Sequence, residues 1–254
     1  MLEVQRAEKS APRFHPMPDT EPLAQTSNLT FMIDGKVLVD HVDLSLSADS
    51  LTVIMGPNGA GKSLLVRLLH GLIRPTGGEI LWGGHPMSPA IRKRQAMVFQ
   101  RPVLLRRSVA ANIDFVLGLR EGPDKQRRGE ILELVGLEDR ERQPARLLSG
   151  GEQQRLALGR ALATEPEVLF LDESTASLDP ASVLMIEEIV TRAREEQGVK
   201  VVFITHDLGQ ARRLADDVVF MHRGRLEEHT SAERFFTEPE SRAARDYVAG
   251  RIVL

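Results

Sequence analysis

Eight consecutive residues constrain this chain more than any others: Gly56-Pro57-Asn58-Gly59-Ala60-Gly61-Lys62-Ser63. They fit the pattern G-x-x-x-x-G-K-[ST]. A short apolar run, Leu51–Met55, precedes them. Leu64, Leu65, Leu68, Leu69 and Leu72 follow at helical spacing, with Gly71 near the stop. Strand, glycine loop and helix in that order open an α/β unit. The glycines let the backbone turn sharply, so that its N–H groups converge on phosphate oxygens, and the helix adds its positive N-terminal end. Lys62 is then placed to reach the outer phosphates of a nucleotide, and the Ser63 hydroxyl to hold Mg2+. A chance glycine turn would lack this context on both sides.

Two further runs, Val168–Leu171 and Val201–Ile204, are continuously apolar, as buried parallel strands require. The first ends in Asp172-Glu173. Successive strand side chains point to opposite faces, so the two carboxylates can divide two tasks. Asp172 would hold Mg2+, and Glu173 would polarise an attacking water. Alone, such a pair is a commonplace solvated turn; beside the phosphate loop it reads as a site.

The remaining pattern predicts a layered α/β protein. Ser27–Asp49 alternates, with Val42, Leu44 and Leu46 facing one way and Asp43, Ser45 and Ser47 the other, as half-buried antiparallel strands do. Gly77–Gly84, Ala96–Phe99 and Val218–His222 are further strand candidates. Residues from about 103 to 162 read as an inserted helical block, with a loop at Gly118–Lys125. Residues 231–254 read as a helical tail. Residues 1–25 carry four prolines among scattered charges and read as a disordered tail, not as a signal peptide. The absence of cysteine excludes disulfides, thiolate metal sites and cysteine nucleophiles. A net charge of −3 argues against a nucleic-acid partner. No run is long and apolar enough to cross a bilayer, so work at a membrane would need partner proteins.

The most diagnostic stretch is Leu148-Ser149-Gly150-Gly151-Glu152-Gln153-Gln154. It resembles the signature of the ATP-binding cassette (ABC) family, and the family's other motifs follow the same order. Gln100 resembles the Q-loop glutamine, Ser177-Leu178-Asp179 the D-loop, and His206 the switch histidine. The resemblance covers about Ser27 to Glu228. It implies a P-loop NTPase core with an antiparallel β subdomain and an inserted α-helical subdomain. It implies ATP and Mg2+ as cofactors, Gln100 near the metal, and His206 at the γ-phosphate helping to orient water with Glu173. Ser149, Gly150 and Gly151 precede a helix beginning near Glu152 and form a second anion site with its N-terminus. In the family this site covers the nucleotide of a second chain in a head-to-tail homodimer, with Asp179 at the junction.

Two positions depart from the common family form. Where an aromatic residue usually stacks on adenine, counting back places Ile33; Phe31 is the nearest aromatic, and its direction stays open. Ser174 stands where proline usually follows the glutamate, which predicts a looser Glu173–Ser177 turn. A single cassette without fused membrane segments resembles importer ATPases. Arg234–Pro239 is similar to the tail of amino-acid and phosphate importers. Gln100–Val109 and Leu69–Leu72 are most similar to the ATPases of tungstate-type oxyanion importers. The resemblance thus implies a transmembrane permease partner, a periplasmic or extracellular solute-binding protein acting indirectly, and a peripheral place on the cytoplasmic face of the cell membrane. Val103, Leu104 and Leu105, flanked by Arg101, Arg106 and Arg107, fit the groove that holds a short permease helix. The alternative is a cassette driving a non-import membrane machine, of the lipoprotein-release or cell-division type. Soluble repair and translation members fit less well, because the chain has no sustained heptads, second cassette or basic linker.

Overall fold

The computed structural model describes residues 22–253, apart from 120, 121 and 123. In chain order it begins with strands β1 (Ala24–Ile33), β2 (Lys36–Leu46) and β3 (Thr52–Met55), helix α1 (Lys62–Leu69), strands β4 (Gly77–Trp82) and β5 (His85–Pro86), helix α2 (Pro89–Lys93) and strand β6 (Gln95–Val98). Helices α3 (Val109–Leu117), α4 (Lys125–Leu134) and α5 (Gly150–Leu162) follow. Then come β7 (Val168–Asp172), α6 (Pro180–Gln197), β8 (Lys200–Ile204), α7 (Leu208–Leu214), β9 (Asp217–His222), β10 (Arg225–Ser231), α8 (Ala232–Thr237) and α9 (Arg242–Val248).

The strands form two sheets. One has four strands in the order β2-β1-β4-β5 and is antiparallel. The other has six in the order β10-β9-β3-β8-β7-β6, parallel except for the β10 edge. Every residue of β3, β7 and β8 is buried, because both faces of this sheet are covered. Alternation along the strands shows by what. Val53, Met55, Leu169, Leu171, Val201 and Phe203 join one apolar cluster with α3, α4, α5 and α6. Their neighbours Ile54, Val168, Phe170, Val202 and Ile204 join a second cluster with α1 and the antiparallel sheet. The result is three layers, with the carboxyl ends of the parallel strands gathered at one edge. Trp82 ties two of the layers, donating its indole N–H to Leu69 O at 3.0 Å from a fully buried position.

Three sequence expectations change here. The disordered reading of residues 1–25 falls mostly outside the described residues, but its last two members belong to β1. Ala24 is buried and pairs with both Leu46 and Trp82, so the tail ends before that strand. The Glu173–Ser177 turn is closed, not loose. Ala176 N donates to Glu173 O and Leu178 N to Thr175 O, both at 3.2 Å. Ser174 is buried inside it, its hydroxyl without a partner. The helical block expected at about 103–162 contains α3, α4 and α5, and α5 lies against both its companions and β6. Lys125 belongs to α4, so the loop before it ends one residue earlier.

Candidate nucleotide site

The loop of Gly56–Ser63 joins the end of β3 to the start of α1, where the sequence places it. Gly56 has φ 137°, and a side chain there would meet Met221 O at 2.0 Å. Gly61 has φ 99°, and a Cβ would lie 2.9 Å from Leu38 O. Only glycine satisfies both a left-handed backbone and so close an approach. Gly59 has φ 78°, and a side chain there would meet open space, so its backbone conformation is what calls for glycine. Ala60 is buried and pins the loop from behind.

Charged groups converge on this loop. Lys62 is buried and donates from Nζ to Gly56 O at 3.0 Å and Pro57 O at 3.2 Å. The Glu173 carboxylate lies 3.6 Å from the same ammonium. Burial pulls the Lys62 pKa below its ordinary value, while Glu173 and Asp172 oppose the shift. Ser63 Oγ donates to Asp172 Oδ1 at 2.6 Å, and Arg67 stands 3.5 Å from the other carboxylate oxygen. A hydroxyl and a carboxylate side by side at a phosphate cradle are the hard oxygen donors that Mg2+ takes together with substrate phosphates. The donor set therefore fits the ion. Glu173 has φ 47°, a left-handed conformation unusual outside glycine, held by its N–H to Ile204 O at 3.2 Å.

His206 and Gln100 lie on the same sheet edge, at the ends of β8 and β6. Both side chains are exposed and make no hydrogen bond among the described residues. Ile33 is 48% exposed at the β1–β2 hairpin, whereas Phe31 packs against the second apolar cluster. Of the two, Ile33 is the more exposed.

The signature residues form a second centre. Ser149 caps α5: its Oγ accepts from Glu152 N at 3.3 Å, and its N–H donates to Glu152 Oε2 at 2.7 Å. That reciprocal box leaves the N–H groups of Gly150 and Gly151 at the helix start. A side chain at Gly151 would meet Ser182 Oγ at 2.2 Å, so α5 and the start of α6 touch there. Asp179 caps α6, accepting from Ser182 N at 3.0 Å and Ser182 Oγ at 2.6 Å, and these bonds lower its pKa. No hydrogen bond or ion pair among the described residues joins this centre to the phosphate loop.

The signature stretch includes Gln154 without showing what it holds, and no motif includes Arg160. Gln154 Nε2 donates to Phe99 O at 3.0 Å and Arg160 to Val103 O at 2.6 Å. Two side chains of α5 thus hold the chain on either side of Gln100. The polar side chains of α5, Gln154 and Arg160 among them, were the available signal. Tyr247 of α9 donates to His206 O at 3.5 Å; no pattern in the sequence pointed to it.

The ABC transporter family model matches residues 39–176, and the chain belongs to the ABC transporter family. It is 39% identical over 221 residues to a methionine import ATP-binding protein of Staphylococcus epidermidis. That match takes in 83% of this chain and 65% of the relative's length. It is 35% identical to a phosphate import ATP-binding protein of Yersinia pestis, over 92% of this chain and 93% of that one. The structure resembles, at TM-score 0.74 and 27% identity, a dimeric ATP-binding cassette in a post-hydrolysis state bound to ADP and Pi, covering 82% of this chain and 98% of that one. The fold is the ABC ATPase fold.

Proposed function

We propose that this chain is the ATP-hydrolysing subunit of a membrane importer, working as a homodimer docked on a transmembrane permease. The observation that carries the reading is the convergence of Lys62, Ser63, Asp172 and Glu173 on one glycine loop, while Ser149–Gly151 and Asp179 form a separate centre. Gly56, Pro57, Asn58, Gly59, Ala60, Gly61 and Leu64 shape the cradle for the phosphates, and Lys62 neutralises their charge. Ser63 and Asp172 would hold Mg2+, with Gln100 approaching as the site closes; the ion neutralises charge on the phosphates. Glu173 accepts a proton from the attacking water, and His206 helps fix that water and the γ-phosphate. Two centres unconnected within one chain are what a head-to-tail pair would complete, each Ser149–Gly151 covering its partner's nucleotide. No helix among the described residues is long and apolar enough to cross a membrane, which is compatible with attachment through a permease at the cytoplasmic face.

The solute is an oxyanion of the tungstate type in this reading, delivered by a solute-binding protein. Its support is the pattern of Gln100–Val109 and Leu69–Leu72, and the relative named for phosphate import, which is matched along most of both chains. The relative named for methionine import is the competing assignment. Transport assays with the co-purified permease decide between them: tungstate uptake supports the first, methionine uptake the second. For the ATPase itself, Lys62→Ala should weaken nucleotide binding by about tenfold or more, since it removes a charge facing the phosphates. Glu173→Gln should bind normally and lose most turnover. Equal binding and equal turnover in both variants would reject the assignment.

A further inference from the structure

Tyr247 is the chain's only tyrosine, and it sits where the C-terminal helix meets the candidate site. Helix α9 is firmly seated. The buried Glu228 carboxylate accepts the backbone N–H groups of Glu240 and Ser241 at 3.1–3.2 Å, and Ser241 Oγ caps the helix through Ala244 N at 3.0 Å. The Tyr247 ring packs on Phe220 with centroids 5.3 Å apart, and Phe220 packs in turn on Phe235 of α8 at 5.7 Å. Phe220 lies beside Met55 in the sheet, and the carbonyl of Met221 is the group that forbids a side chain at Gly56. The ring therefore rests on the strand that backs the entry to the phosphate loop. From there the phenol hydroxyl reaches the backbone carbonyl of His206 at 3.5 Å.

The turn at His206 needs such a tie. Its own bonds lie to either side: Asp207 N donates to Thr205 Oγ1 at 3.1 Å, and Asp207 Oδ1 accepts from Gln210 N at 2.8 Å. The imidazole is exposed and unbonded among the described residues, so the backbone alone aims it. We propose that Tyr247 is a positioning residue that fixes the His206 backbone against the phosphate loop, so that α9 sets the rate of the hydrolytic step. Burial raises the phenol pKa; the Gly56 N–H opposes this, and the Glu173 carboxylate adds to it. The hydroxyl therefore stays a donor through the neutral range. At 3.5 Å the bond is long, and bonds of this kind tighten as a site closes on its ligand.

The inference rests on the role proposed for His206, and the test separates the two. Tyr247→Phe keeps the ring and removes only the hydroxyl. Its kcat should fall about three- to tenfold, the scale of one neutral hydrogen bond, with the KM for ATP and the thermal midpoint nearly unmoved. His206→Ala, run alongside, should lose far more turnover. If His206→Ala hydrolyses normally, the site reading itself fails. If His206→Ala is inactive while Tyr247→Phe matches wild type, only the present inference falls. A second readout uses the wild-type protein. With tyrosine labelled at Cζ, its single resonance should shift more on binding a nonhydrolysable ATP analogue with Mg2+ than on binding ADP with Mg2+. A resonance indifferent to the γ-phosphate overturns the proposal, whatever the variant does.

Discussion

Glu173, just beyond β7, and His70, at the end of α1, show how differently two ionisable groups beside the large sheet are used. Glu173 takes a left-handed backbone at φ 47° at the edge where the phosphate loop lies, a conformation that costs of order 1 kcal/mol or more and persists because neighbouring bonds hold it. His70 lies at the other end of α1, buried, with its ring edge-on to Phe170 at 5.8 Å and Nδ1 unpartnered. Burial, helped by the charge of Arg92, lowers its pKa to about 4. Between about pH 4 and 6.5 the unfolded chain binds a proton there that the folded chain does not. Stability therefore rises with pH across that window and is unaffected by this group above it. The full effect is on the order of 3 kcal/mol. Denaturant midpoints of wild type minus His70→Leu should show this rise; a flat difference between those pH values would contradict the burial account. At this scale the structure brings together Lys62, Ser63, Asp172 and Glu173, which short local patterns had singled out because the chemistry of a phosphate site demands those residue types. The sequence reading misses Tyr247, whose partner is 41 positions away and is a backbone atom, which no residue identity marks. It also expects looseness at Ser174, whereas burial of that side chain closes the turn.

Among the elements, α5 carries the most information. Its capped start holds the signature residues, and its side chains grip the chain on either side of Gln100 through Phe99 O and Val103 O. A displacement of that segment would therefore be passed to the signature by two direct bonds. Beyond it, Val109 N donates to Gln143 O and Ala145 N to Arg107 O, both at 2.9 Å. These bonds hold Arg106, Arg107 and Arg146 around one open concavity. The sequence reading took Val103, Leu104 and Leu105 together as a docking cluster. The structure divides them: Leu104 packs on the core, while Val103 is 78% exposed. Alternation between core and solvent is a tertiary fact in a segment with no regular period, which is why sequence could not resolve it. Val103→Asp should leave folding and basal hydrolysis within about twofold of wild type, as surface changes do, and abolish capture of the permease. Leu104→Asp should destabilise the chain itself by about 2 kcal/mol or more, because it takes a charge into an apolar contact. Pull-down of the co-expressed permease, with thermal melts of the isolated subunit, checks both. Unimpaired assembly in Val103→Asp would move the docking surface elsewhere.

For the molecule as a whole, the central claim is that one chain holds two half-sites that only a second copy can join. Buried parallel strands covered by helices, and the glycine loop between strand and helix, were readable from periodicity, whereas the strand order came only from the structure. The division into half-sites was readable only through the family resemblance. In the structure it shows as two sets of residues, one around Lys62 and Asp172, the other at the capped starts of α5 and α6 around Ser149 and Asp179, with no hydrogen bond between the two sets among the described residues. If ATP is the link, a chain that binds but cannot cleave it should accumulate as a pair. Light scattering on Glu173→Gln at micromolar concentration, with ATP and Mg2+, measures this directly. The account predicts a monomer with ADP and a dimer with ATP, and it predicts that Ser149→Arg in the same background, which places a bulky cation at the second anion site, abolishes the dimer. A Glu173→Gln protein that stays monomeric with saturating ATP, or that pairs equally well with ADP, would contradict it.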